Sequence, residues 1–161
     1  MMKMLPNSND SLFIRTYFDD EESWQTICRE IREPAAEHTE GWSLLGELYE
    51  TPGQQFPDKP QAFLTIVDDQ DFSGEAPKQL ASCLPSNTHH SFLLVVDEQA
   101  TTNPEHPILV VDVNDQVGRT FRTVPSQVQS IENNLSLANM DWEDFSESID
   151  ADGVFRGFRE A

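Results

Sequence analysis

The chain has 161 residues, 37% of them hydrophobic and 24% charged, with 29 Asp and Glu against 10 Lys and Arg and a formal charge of −19. That length suits one domain and lets folding bury roughly 70% of the unfolded surface, so a core forms without disulfide or metal staples. The charge repels phosphate backbones and anionic lipid, arguing against nucleic-acid or membrane-surface binding and for a basic protein partner; plain solubility or a high-salt setting would also explain it.

Residues 1–10 are polar and read as a flexible N-terminus, and residues 11–161 as a single α/β domain. Leu12 to Phe18 is a short apolar strand. The acidic run Asp19 to Glu22 follows, where carboxylates suit a helix N-terminus. Trp24, Ile27, Cys28 and Ile31 recur at helical spacing up to about Glu33, and Pro34 ends the helix. Residues 34–60, with Trp42, Leu44, Leu45, Leu48 and Tyr49, carry no clear period, and Pro52, Gly53, Pro57 and Pro60 mark a loop. Ala62 to Val67 is a buried strand. A short helix between Pro77 and Pro85 turns Leu80, Cys83 and Leu84 inward, and Phe92 to Val96 is a second buried strand.

Ala100 to Pro107 reads as a polar loop. Ile108 to Val113 and Arg119 to Val124 form a hairpin around Val117-Gly118. A helix from Pro125 or Ser126 carries Val128, Ile131, Leu135 and Ala138 on one face. Asp141 caps a last helix, over 141–150, with Met140 and Phe145 as a hydrophobic staple and Gly153 as its left-handed stop. Val154, Phe155 and Phe158 then supply an edge strand or a docked tail. Two strand–helix–strand units followed by a hairpin predict a mixed sheet of about five strands flanked by helices, with a C-terminal hairpin–helix–helix unit.

Three apolar strands end in Val-Asp, at Asp68, Asp97 and Asp112. If the first two run parallel, Asp68, Asp69, Asp97 and Glu98 gather at the carboxyl edge of the sheet, where open α/β sheets bind ligands. Asp is also an ordinary strand terminator. Arg15, inside the first strand, either pairs with these acids or faces a ligand. A receiver-type phospho-acceptor site is rejected because neither Lys3, Lys59 nor Lys78 ends a later strand. A calcium loop anchored on Gly153 would put Ser148 and Arg159 where acids are required. His89, His90 and His106 match no metal spacing. No G-x-G-x-x-G, P-loop or G-x-S-x-G motif occurs. No metal site or cofactor is expected, and no catalytic signature stands out.

The run from Ile131 to Phe158 holds the remaining candidates: Asn133, Asn134 and Asn139, as amides that break the chain between helices or orient a ligand, and Arg156, which neutralises the acidic helix or faces a site. Arg119 and Arg122 are read as further neutralisers of that helix. The phrases LFIRTYFDDEESW, PEHPILVVDV, GRTFRTVPSQV and above all IENNLSLANMDWEDF with DGVFRGF make the chain similar, nearly end to end, to an uncharacterised bacterial and fungal family known as a domain of unknown function. The resemblance implies a single domain and brings no activity or site residues; residues 34–60 are where this chain is expected to differ from its relatives.

No apolar run approaches the roughly 20 residues of a membrane span, and the two cysteines make no disulfide framework. The sequence therefore reads as a small acidic cytoplasmic protein-binding or regulatory domain without catalysis. The alternative is a small-molecule binder or small enzyme with a polar site at the carboxyl edge of the sheet.

Overall fold

The structure is a computed structural model and describes residues 3–31, 64–86, 88, 90–137 and 140–158. The stretch 34–60 lies outside these residues, as do Ala62, His89, Ala138, Asn139 and Arg159.

Among the described residues, six strands form one mixed sheet in the order β2-β1-β3-β4-β5-β6: β1 Ser11–Arg15, β2 Leu64–Val67, β3 Phe92–Val96, β4 Ile108–Asp112, β5 Thr120–Thr123 and β6 Val154–Phe155. β1 runs parallel to β2 and β3, β4 is antiparallel to both β3 and β5, and β6 runs parallel to β5. The expected mixed sheet with flanking helices is present, and the tail supplies its sixth strand. The register aligns the carboxyl ends of β1, β2, β3, β5 and β6 with the start of β4 at one edge. The opposite, amino edge holds the start of β3, the end of β4 and the start of β5.

The strands read as continuous apolar runs because both faces are covered. Phe13, Leu94, Val96, Val110, Phe121 and Phe155 face α1 (Glu21–Glu30), α4 (Val128–Ser136) and α5 (Trp142–Ser146), meeting Trp24, Ile27, Ile131 and Phe145. The alternate residues Leu12, Ile14, Leu93, Val95, Leu109 and Val111 face the other way, onto Phe72, and onto Leu80 and Cys83 at α2 (Pro77–Ser82). Asp20 starts α1 by accepting the Ser23 N–H at 3.0 Å. No described helix is long and apolar enough to cross a membrane.

Four local expectations change. The N-terminal arm is tethered where it is described: Leu5 is buried in the second core layer and its N–H donates to the Cys83 carbonyl at 2.8 Å. The segment after Asp97 is not wholly loop. It opens with α3 (Glu98–Thr102), because the Asp97 carboxylate accepts the Ala100 N–H at 3.0 Å. The last helix stops at Ser146 rather than near 150. Asp150 N–H donates to Val154 O at 3.0 Å, so Gly153, at φ 84°, serves the turn into β6 instead of capping the helix. Lastly, a 3-10 turn at Pro125–Gln127 precedes α4, whose helix proper begins at Val128.

Candidate functional site

The carboxyl edge holds Arg15, Asp68, Asp69, Asp97 and Glu98, and of these it joins Arg15 to Asp68. Arg15 has only 4% of its side chain exposed. Its guanidinium donates to Tyr17 O at 3.1 Å, reaches Asp68 at 3.2 Å and Glu21 at 2.8 Å, and lies 4.5 Å above the Phe18 ring and 5.0 Å from that of Trp24. Asp97, besides capping α3, is held by both terminal nitrogens of Arg122 at 2.9 and 2.7 Å, and Arg122 also donates to Pro107 O. Asp69 caps the 3-10 turn at Gln70–Phe72 by accepting the Asp71 N–H, and pairs with Lys3, which holds its carboxyl below the ordinary range. Glu98 stands exposed in the first turn of α3. The strands thus bring Arg15 and Asp68 into contact, while Asp97 and Asp69 are engaged by other partners.

Arg156, at the same edge just beyond β6, grips Glu105 through two nitrogens at 2.9 Å, Asp150 at 2.6 Å and Asp152 at 2.7 Å. Hydrogen bonds to Glu105, Asp152 and Asp150, in that order of effect, raise its pKa. Of the acidic run 141–150 that it was expected to neutralise it meets Asp150, which lies beyond the helix end at Ser146; Glu105 and Asp152 are outside that run. Arg122 does not neutralise the last helix but pairs with Asp97, because β5 delivers its side chain to the end of β3. Asn133 and Asn134 do not break the chain between helices. Both lie inside α4, Asn133 exposed and Asn134 donating to Ser130 O one turn back at 2.9 Å. Asn139 lies outside the described residues.

A cleft of about 650 Å³ opens at the amino edge. Its floor is the β4–β5 turn. Asp112, with 3% side-chain exposure, accepts the N–H groups of Asn114 (2.9 Å), Asp115 (3.2 Å) and Gln116 (3.0 Å), and Nε of Arg119 at 2.6 Å. Burial alone would raise its pKa; the backbone donors and Arg119 outweigh it, so the carboxyl sits below its ordinary range. Gly118 closes the turn at φ 97°, and a Cβ there would stand 2.6 Å from the Lys78 side chain. Arg119 then reaches across to the second wall. It donates to Glu143 at 3.0 Å, approaches Asp115 at 3.6 Å, and its guanidinium lies 5.0 Å from the Trp142 ring centroid. Burial opposes the charge on Arg119, but its bonds to Asp112 and Glu143 raise its pKa overall.

The second wall is the corner between α4 and α5, with Leu135, Ser136, Met140, Asp141, Trp142 and Glu143. The expected cap at Asp141 is present, and Asp144 answers it by accepting the Asp141 N–H at 2.8 Å. Four carboxylates, Asp112, Asp115, Asp141 and Glu143, therefore line the cleft beside one guanidinium. Behind the wall lies the buried Glu132, whose Oε1 stands 3.3 Å from both the Ser11 and Ser136 hydroxyls. Among the described residues no group of three His, Cys, Asp or Glu side chains is placed to hold a metal ion.

The sequence profile of a domain of unknown function, DUF6924, matches residues 10–158. The chain belongs to that family. No curated protein matches it. The DUF6924 match spans every strand and helix described above, along with both edges of the sheet.

The sequence of this DUF6924 chain marked Asp112 as a strand end and Arg119 as a neutraliser of the last helix, which its bond to Glu143 meets; Asp115, Trp142 and Glu143 were not singled out. Each had an adequate ordinary role: strand end, turn, core, helix first turn. The available signal was the pairing of Asp112 with Arg119 as the two ends of one tight hairpin turn. A second was the acidic-aromatic run Asp141 to Asp144, whose charges exceed what a helix cap needs.

Proposed function

We propose that this DUF6924 domain is a cytoplasmic binding module without catalysis of its own, and that it recognises a basic protein partner at the amino-edge cleft. One observation carries the reading. The cleft sets four carboxylates beside a single guanidinium, and that guanidinium is already bonded to the floor and to the far wall. Asp115, Asp141 and Glu143 are exposed and stand open to an incoming cation. The chain's overall charge of −19 would steer a basic partner towards it.

The test must separate the cleft from bulk charge. Calorimetric titration with an arginine-rich hexapeptide should show saturable binding that weakens several-fold between 50 and 300 mM salt. The double variant Asp115→Lys/Glu143→Lys should abolish it. Glu22→Lys/Asp71→Lys, with the same change of net charge at the other edge, should leave most of it. Equal losses in the two variants would sink the assignment to the cleft. The second reading, a small-molecule or catalytic site at the carboxyl edge, has only the gathering of Arg15, Asp68 and Asp97 in its favour. Each of those has intramolecular partners that a ligand would have to displace.

A further inference from the structure

We propose that residues 150–158 are a strap that lifts as one unit from a fold that stays closed beneath it, with the Arg156–Glu105 pair as its latch. The strap comprises the turn after α5, β6 and the tail.

The strap holds itself together. Asp150 N–H donates to Val154 O at 3.0 Å, Gly153 N–H to Asp150 O at 2.9 Å, and Val154 N–H to the Asp152 carboxylate at 3.2 Å. Two of the three carboxylates on Arg156, those of Asp150 and Asp152, belong to the same segment. Gly157, at φ 110°, turns the chain back, and the Phe158 ring lies 5.0 Å from that of Phe155. All of these contacts travel with the strap. Ile149, half-buried against the main core, anchors the chain just before it.

Its attachments to the rest lie along one strand. β6 pairs with β5 over two residues; the N–H groups of Arg122 and Val124 donate to Gly153 O and Phe155 O at 3.1 and 3.2 Å, and the Thr123 hydroxyl reaches Phe155 O at 3.3 Å. Phe155 is fully buried, with its ring 5.3 Å from that of Phe145, and the half-exposed Phe158 meets the same ring at 5.4 Å. Among the described residues one ion pair joins strap to body: Nε and one terminal nitrogen of Arg156 on the two oxygens of Glu105, both at 2.9 Å. Beneath the strap the fold is complete. β5 pairs with β4 over four residues, and Phe121 packs on Trp142 at 4.8 Å and on Phe145 at 6.4 Å. Burial of Phe155 keeps the strap down at rest. The Arg156–Glu105 pair is partly exposed, so dissolved salt screens it and sets how often the strap lifts. Lifting bares the outer edge of β5 and the side of Phe145 that Phe155 covers.

The test is native-state amide exchange of the ¹⁵N-labelled full chain, followed at low urea in about 50 and about 500 mM salt. The Arg122 and Val124 amides, which the strap covers, should exchange faster than the β3 amides and with a weaker dependence on urea, because their opening exposes less surface than global unfolding. Glu105→Gln should speed Arg122 and Val124 about fivefold at the lower salt, the size expected of an exposed bidentate pair, and leave β3 unchanged. At the higher salt the variant and the wild type should converge. Adding Glu105→Gln to Arg156→Ala should bring no further acceleration, since the pair is already broken. Exchange of Arg122 and Val124 in step with β3, with the same urea dependence, would overturn the strap as an independent unit. A strap that opens separately but at a rate indifferent to salt and to Glu105→Gln would overturn the latch.

Discussion

The two edges of the sheet spend their arginines differently. At the carboxyl edge Arg15, Arg122 and Arg156 each bind carboxylates from other elements, and so act as clamps: Arg15 joins β1 to β2 and α1, Arg122 joins β5 to α3, and Arg156 joins the tail to the loop before β4. At the amino edge Arg119 stands among four carboxylates that line a cleft, with the Lys78 side chain against Gly118 of the same turn. Proximity of acids at a sheet edge is thus a poor guide to a site. What distinguishes the edges is the cleft left beside Arg119.

The largest effect should come where the amino edge is held together. Asp112→Ala leaves three backbone N–H groups and Arg119 without their acceptor. Urea denaturation should show a loss of about 3 kcal/mol, and peptide binding should fall with it because the turn carries Asp115 and Arg119. Arg15→Leu should cost less, about 2 kcal/mol: leucine refills part of the volume, and the freed Glu21 and Asp68 are already half in water. Binding at the cleft should survive Arg15→Leu. Its loss would break the comparison by showing that the two edges are coupled.

A pH series sharpens the contrast. The native pKa of Asp112 lies below its unfolded value, so its stabilisation is complete above about pH 4 and is lost as the pH falls through the native value. The stability gap between wild type and Asp112→Asn should therefore be constant from pH 7 to about 5 and close progressively below 4. A gap that widened in acid would reverse the assignment. The smallest effect is expected at Arg156→Ala. Its partners Glu105 and Asp152 are more than half exposed, and surface pairs contribute little. The urea midpoint should barely move, while amide exchange should rise in the turn 150–153 and in β6.

Much of the architecture was legible in order along the chain. Ile27, Cys28 and Ile31 mark α1 by their spacing, the run Phe92–Val96 marks a strand covered on both faces, and Val117-Gly118 marks the hairpin. The helix boundaries near Asp97 and Ser146 were less legible, because one capping carboxylate or one turn hydrogen bond decides them. The site was least legible. Arg15 and Asp68 meet as their strand positions suggest, yet Asn133 and Asn134 stay within their own helix, and the cleft needs β3, β4, β5, α4 and α5 at once.

Sequence by itself determined the class of fold, the acidic character and the alternation that sends Phe13 to one core layer and Leu12 to the other, since these follow from composition and from the two-residue period of a strand. Tertiary structure alone decided which carboxylates keep an arginine. Pairing of charges depends on distance across strands far apart in the chain: β5 takes Arg122 to Asp97, while Arg119, just before the other end of that strand, meets Asp112, Asp115 and Glu143.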